Sequence, residues 1–368
     1  MGVVELENVW KIYDNGFEAV KGLSATLQDG EFISVLGPSG CGKTSTLRMI
    51  AGLEEISRGE IRIDGIRVNE LLPGDRNVAM AFESYALYPH LTVFENIAYP
   101  LRVRHLPEVE IERQVGAICD ALGIAAYRSL RPASLSGGAQ QRTGLARALV
   151  RSASIFLLDE VLSHLDAGER AMLRGEIRRV QKLMRLTALF VTHDQLEALA
   201  MSDRIAVMND GELQQIGTPE EIYDAPANLF VAGFVGEPAM NTLRAERVQE
   251  GGRDQLRIGG QNLSARDLGL RALPAARELT LGIRPKNVTL RPAGEPGTLA
   301  GRVHTFEMLG DFTLASIDLG SGHLAFKIGE AGLRLALDEP VAVSFEPEKV
   351  HFFDAETSLR IRPGAGPG

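Results

Sequence analysis

The chain has 368 residues, a formal charge of −9 and only two cysteines, Cys41 and Cys119. That length allows two or three domains and a sizeable core, the acidic balance argues against nonspecific nucleic-acid binding, and two cysteines are too few for a disulfide framework, which points to a reducing cytosol. No uninterrupted apolar run approaches the ~20 residues that span a bilayer, so any membrane role is expected to come through a partner.

Taken in chain order, the opening MGVVELENVWKIYDNG carries acids early and lacks a basic-then-apolar signal pattern. EFISVLG (31–37) is a short apolar run ending in glycine, as a buried strand would be. GPSGCGKT (37–44) then fits G-x-x-x-x-G-K-[ST], directly after that strand and before a helix. Its glycines let backbone N–H groups turn inward around phosphates, and the helix N-terminus adds partial positive charge. Lys43 can reach β- and γ-phosphates, and Thr44 can offer a hydroxyl to Mg²⁺. KTSTLRMIAGL continues at helical spacing, with Gly52 near its end as C-cap.

FESYALYPH (82–90) places one carboxylate, Glu83, ahead of an aromatic and apolar run. A surface turn tolerates such an acid, whereas a buried site needs a reason for it, such as a metal ion or a proton to move. SLSGGAQQR (134–142) reads as a second glycine-rich anion site opening a helix. One chain seldom needs two phosphate cradles for one nucleotide, which suggests that the second serves another subunit. SIFLLD (154–159) is a buried strand ending in Asp159, a natural Mg²⁺ anchor, with Glu160 at its tip. GERAMLRGEIRRVQKLMRL (168–186) predicts a long amphipathic helix, and ALFVTHD (188–194) another strand. Strands alternating with helices imply a largely parallel sheet. After about Gly236 the runs become short and alternating, punctuated by Gly and Pro, which predicts a small β barrel or sandwich. The end, RPGAGPG, is expected to be a disordered tail.

Tyr13, GPSGCGKT, LSGGAQQR, FLLDE, SHLD and THD occur in the order and spacing of an ABC transporter ATPase subunit. The whole chain resembles the ATPases of carbohydrate-type ABC importers, such as those for maltose and glycerol-3-phosphate. The resemblance implies an α/β P-loop NTPase, an ABC-type nucleotide-binding domain with a helical subdomain, over 1–235. A small all-β OB-like regulatory domain with a flexible tail follows over 236–368. It implies that two such chains pair head to tail and trap ATP and Mg²⁺ between them. Gly37, Pro38, Ser39, Gly40, Cys41, Gly42, Lys43, Thr44 and Ser45 would hold the phosphates of one ATP, and Ser136, Gly137 and Gly138 of the other chain would close over it. Tyr13 would stack on adenine, Thr44, Glu83 and Asp159 would serve Mg²⁺, and Glu160 would act as general base on the attacking water. His193 would reach the γ-phosphate, and Asp166 would lie in a loop that crosses the dimer. The implied partners are a second ATPase chain, two transmembrane permease subunits and, indirectly, an extracytoplasmic solute-binding protein, with no nucleic acid. The chain would then sit peripherally on the cytoplasmic face of the inner membrane. Exposed Tyr85, Leu87, Tyr88 and Pro89 would form a socket for a helix of the membrane subunit.

The family has glutamine where this chain has Glu83. A carboxylate keeps an oxygen ligand for Mg²⁺ but adds negative charge beside Asp159, Glu160 and the γ-phosphate. One expectation is retained hydrolysis that is slower or more pH-dependent, and the other is that Glu83 turns out to solvent. Ala139 replaces the usual glutamine, Val161 the usual proline and His164 the usual asparagine, while Lys43, Asp159, Glu160, Ser136 and His193 are intact. Two other classes stay open: a nucleotide-binding regulator that has lost catalysis, and a soluble ABC protein acting on DNA or ribosomes. Intact Glu160 opposes the first. The lack of a heptad array or a second cassette opposes the other.

Overall fold

The computed structural model describes residues 2–82, 84–151 and 153–361. The chain divides into two compact units at Pro219/Glu220. In the first, a six-stranded sheet runs in the order Glu212–Gly217, Arg204–Asn209, Phe32–Leu36, Thr187–Thr192, Ile155–Asp159, Val78–Ala81. All pairings are parallel except that of the first two strands. The three apolar runs singled out in the sequence are its central strands, and every residue in them is buried. Sheets covered on both faces select such unbroken apolar strands.

The pleat divides these residues between two cores. Phe32, Phe156, Leu158, Ala188 and Phe190 face one side, where they meet the helices Val93–Val103, Glu108–Ala121 and Gly137–Leu149. Ile33, Val35, Ile155, Leu157, Leu189 and Val191 face the other. There they pack on the helix Lys43–Ala51 and on an antiparallel sheet of Glu18–Leu27, Val4–Ile12, Arg58–Ile63 and Ile66–Arg67. The sequence reading did not anticipate this second sheet, because its strands are half-exposed and lack a continuous apolar run.

Local rules account for the helix ends. Gly52 sits at φ 78° and returns its N–H to Arg48 and Met49, as a C-cap glycine does. The helix Ala167–Met184 starts on Asp166, whose carboxylate accepts from Glu169 N at 2.8 Å. The helix Val93–Val103 starts with a full capping box of Thr92 and Glu95.

The second unit is mostly antiparallel β structure. One six-stranded sheet runs Gln261–Ser264, Arg253–Ile258, Asn241–Glu250, Glu278–Ile283, His351–Asp354, Arg360–Ile361, and a five-stranded one runs Val288–Pro292, Pro340–Phe345, Leu299–Met308, Phe312–Asp318, Leu324–Glu330. Their inner faces share one core around Leu281, Ile283, Val303, Ile317, Val343 and Phe352. By its internal contacts this unit begins at Glu220. Arg284 helps to tie residues 220–235 to this unit, its guanidinium donating to the carbonyls of Tyr223, Ala232 and Val235, and backbone bonds from Leu229 N to Ser358 O and from Arg360 N to Ala227 O do the same.

His351 is also buried in this unit, and its Nδ1 has no hydrogen-bond partner. Burial, reinforced by Arg360 and Arg284 and opposed by Asp224, pushes its pKa down to about 4. The unfolded histidine protonates near 6.5 and the folded one only near 4, so the unfolded state binds the proton first. Stability is therefore full above pH 6.5 and is lost as pH falls toward 4, by about 3 kcal/mol. Thermal melts of His351→Gln across that range are expected to show a shallower acid slope than the parent chain. An unchanged slope would remove His351 from the account.

Candidate active site

The glycine-rich loop leaves the strand Phe32–Leu36 at Gly37 and enters the helix at Lys43. Two of its glycines, Gly40 and Gly42, lie at φ 80° and 100°, where other residues are strained. A Cβ on Gly37 would run into the carbonyl oxygen of Met208, and one on Gly42 into that of Ala19. The loop is thus pressed against two strands by the absence of side chains. Gly42 gives its helix no side-chain cap, which leaves first-turn N–H groups for an anion. Gly42→Ala combines a left-handed φ with a backbone clash and is expected to destabilise the unit by about 3 kcal/mol. Urea unfolding alongside fluorescent-nucleotide titration checks both fold and binding.

Lys43 is buried, and its ammonium donates to the carbonyls of Gly37 and Pro38, each at 2.8 Å. The loop therefore holds the cation on its own inner side. Cys41 is buried beside it, and burial pushes its thiol pKa up, with Lys43 pulling the other way. Such a thiol acts as packing and not as a nucleophile.

Asp159 closes its strand at the same end of the sheet, and Thr44 Oγ1 donates to Asp159 Oδ1 at 3.4 Å. Glu160 follows at φ 47°, unusual for a side chain of this kind. Its N–H bonds Val191 O at 3.0 Å, and its carbonyl accepts from Ser163 N and Oγ. That backbone holds the Glu160 carboxylate 3.3 Å from His193 Nδ1. Tyr13 joins the loop from the antiparallel sheet, its hydroxyl 3.1 Å from Ser45 Oγ. Lys11 lies over the Tyr13 ring at 4.8 Å and is pinned by Glu54 at 3.0 Å.

The remaining predicted residues form a second cluster. Ser136 caps the helix Gly137–Leu149, accepting from Ala139 N at 3.3 Å, so its oxygen is engaged within the chain rather than simply facing outward. Asp166 caps the next helix. A Cβ on Gly138 would meet the Glu169 carboxylate at 2.7 Å, so these two helix starts are close neighbours. Glu83 lies outside the described residues. In the segment that follows it in sequence, the carbonyls of Ala86 and Tyr85 accept from Arg147 at 2.8 and 3.3 Å, and the Arg147 guanidinium lies 5.3 Å from the Tyr88 ring. Asn96, wholly buried, bonds Tyr88 N and O and thereby fixes the same segment. Tyr88 and Pro89 are exposed as expected, whereas Tyr85 and Leu87 are half-buried. Val161 is buried in the helical core, its carbonyl accepting from Gln141. His164 is exposed, edge-on to Tyr85 at 6.5 Å.

Sequence reasoning missed Thr192, Arg170 and Glu197, which lock the ends of the SHLD and THD segments together. Their contacts bridge segments 5 to 24 residues apart. The one local signal was the spacing of Asp194 and Glu197, that of a helix cap followed by an acid.

A largely parallel sheet whose strand ends carry a glycine-rich loop, a buried lysine and an acid pair defines a P-loop nucleoside-triphosphatase. The family pattern described as ABC transporter matches residues 20–163, and that described as TOBE domain matches 281–353. The oligosaccharides import ATP-binding protein MsmX of Bacillus subtilis (strain 168) is 40% identical over 370 residues, 98% of this chain and 100% of that protein. The sn-glycerol-3-phosphate import ATP-binding protein UgpC of Cereibacter sphaeroides is 44% identical over 363 residues, with the same coverage. The trehalose/maltose import ATP-binding protein MalK of Thermococcus litoralis is 42% identical over 379, again with the same coverage. Among solved structures, the dimeric post-hydrolysis state of the ATP-binding cassette MJ0796 bound to ADP and Pi matches with 29% identity and a TM-score of 0.54. It covers 59% of this chain and 98% of that one. The chain belongs to the family of ATP-binding subunits of ABC importers.

Proposed function

We propose that the chain hydrolyses ATP with Lys43, Thr44, Asp159, Glu160 and His193, in a pair of such chains, to drive uptake of a carbohydrate, polyol, glycerol or glycerol-phosphate-type solute. The observation that carries this is the convergence of loop, acid pair and histidine at one end of the parallel sheet. The solute class follows what the relatives' names say they import.

Among the described residues no three His, Cys, Asp or Glu side chains gather for a metal. The paired oxygens of Thr44 and Asp159 nonetheless fit Mg²⁺, a hard cation that takes one or two protein ligands and fills its shell with phosphate and water. Thr44 and Asp159 would hold it, and it would supply positive charge toward the phosphates of the nucleotide. Lys43, already inside the loop, adds a fixed positive charge toward the same oxygens. The Glu160 carboxylate takes the proton of the attacking water or orients it, and His193 stands beside that carboxylate to hold the γ-phosphate end. Tyr13 supplies a stacking face for adenine.

Ser136, Gly137, Gly138 and Asp166 belong to the second cluster, in keeping with a role toward the nucleotide of another chain. In this reading the permease subunits and, through them, a solute-binding protein are the working partners, and the chain is peripheral on the cytoplasmic side of the membrane. No helix of the described residues is long and apolar enough to cross a membrane.

The test is ATP hydrolysis by the complex purified with its native membrane and solute-binding partners, against a panel of those solutes. Stimulation by one solute is the expected result and names the cargo. Bound ATP without hydrolysis under any solute would favour a nucleotide-binding regulator.

A further inference from the structure

We propose that Arg170 is a positioning residue that joins the loop ending at Asp166 to the loop carrying His193, so that the two are set by one guanidinium. The proposal rests on the hydrolytic reading above. Arg170 lies in the first turn of the helix Ala167–Met184, just after the cap Asp166. A cation there opposes the helix dipole, at a cost of about 0.3–1 kcal/mol, so its placement calls for contacts that offset it.

Those contacts reach three segments. Nη2 donates to Leu165 O at 3.2 Å, one residue before Asp166. Nη1 donates to Asp194 Oδ2 at 2.9 Å, one residue after His193. Nε is buried without a hydrogen-bond partner and lies 3.8 Å from the carboxylate of Glu197, which is itself buried. Glu197 Oε2 accepts from Thr192 Oγ1 at 2.6 Å, and Thr192 Oγ1 accepts from Asp194 N at 3.0 Å. The residues on both sides of His193 are therefore tied to Arg170, directly or through Glu197. A fork of fixed donors serves two acceptors at once and keeps a third group, the Glu197 carboxylate, within ion-pair reach, and a lysine head group has no such geometry. A shift of the first loop must pull on Asp194 and Glu197, and so on the imidazole that stands 3.3 Å from Glu160.

Asp194 divides its two oxygens. Oδ1 caps the helix Gln195–Met201 by accepting from Leu196 N and Glu197 N, while Oδ2 takes Arg170. Asp194→Asn can keep the cap, because asparagine caps as well as aspartate, and turns an NH₂ group toward the guanidinium. It removes the direct tie and spares the helix.

The experiment measures ATP turnover of the full complex with its membrane partners, per nucleotide site titrated with a fluorescent ATP analogue, for Arg170→Met, Asp194→Asn and the double variant. Each single change is expected to lower kcat by about 10- to 100-fold, with KM within about threefold, because misplacing a catalytic group costs turnover and not binding. The double variant is expected to lose no more than the worse single one, since both break the same tie. A merely structural arginine would lower the number of titrated sites and the melting temperature, with turnover per site unchanged. That outcome overturns the proposal, as does a double variant whose losses multiply. If Arg170→Met does not fold, Arg170→Lys and Asp194→Asn carry the test in the same way. Glu160→Gln, measured in parallel, separates the two levels: if the parent complex binds ATP but shows no slow turnover that falls further in the Glu160→Gln variant, the hydrolytic reading fails whatever Arg170 does.

Discussion

Glu160→Gln is expected to reduce ATP hydrolysis by about 10²–10⁴-fold while ATP binding is kept, because the change removes a base and little else. Gln matches Glu in size and has no greater difficulty with the φ of 47°. The bonds that set this backbone, from Glu160 N to Val191 O and from Ser163 to Glu160 O, involve no side-chain atom of Glu160. The substitution therefore leaves the carboxamide where the carboxylate stood, 3.3 Å from His193 Nδ1. It loses the capacity to take a proton from water at the moment of attack. It also takes a negative charge away from the phosphates, so nucleotide affinity is expected to hold or rise. Single-turnover hydrolysis and equilibrium ATP binding by the full complex check the two halves separately. Hydrolysis within fivefold of the parent would move the base elsewhere, with Asp159, the preceding residue, the next to test.

The parts of this site that were legible in the sequence are those that one short segment can specify alone. GPSGCGKT needs only its own glycines and the helix that follows, and the three central strands need only to be apolar throughout. The C-terminal β unit announced itself by alternation and turn residues. What could not be read depends on residues far apart. Nothing near Arg170 says that Asp194 will meet its guanidinium, and nothing near Tyr85 says that Arg147 will hold that carbonyl and leave the ring half-buried. Ser136 shows a subtler limit. The sequence marks it equally as a phosphate contact and as a helix cap, and within one chain it is seen in the second role.

The tie between residues 220–235 and the rest of the C-terminal unit is the same problem in testable form, because one buried side chain supplies several of its bonds. Arg284→Met is expected to destabilise the C-terminal unit by about 3–5 kcal/mol. Arg284 is 1% exposed, and burial lowers its pKa against the partial support of Tyr223 and Asp224. A cation so placed persists only because carbonyls replace its water. Nε and Nη2 donate to Tyr223 O at 3.1 and 2.7 Å, Nη1 donates to Ala232 O at 3.1 Å and also to Val235 O, and the Tyr223 ring lies 4.2 Å away. Methionine fills much of the volume but strands these carbonyls, each a loss of about 1–3 kcal/mol where no other donor arrives. Arg284→Lys keeps the charge with a head that cannot reach three acceptors together, and is expected to fall between the two. Urea unfolding followed on the β signal of the full chain gives the difference. A loss below about 1 kcal/mol would mean that water or relaxed backbone satisfies the carbonyls, and that Arg284 contributes little to the tie. The same argument bears on where the chain can be cut. A fragment that starts at Glu220 keeps all three acceptors, whereas one that starts at Gly236 lacks them and the Tyr223 ring that covers the guanidinium, so the first is expected to be the more stable.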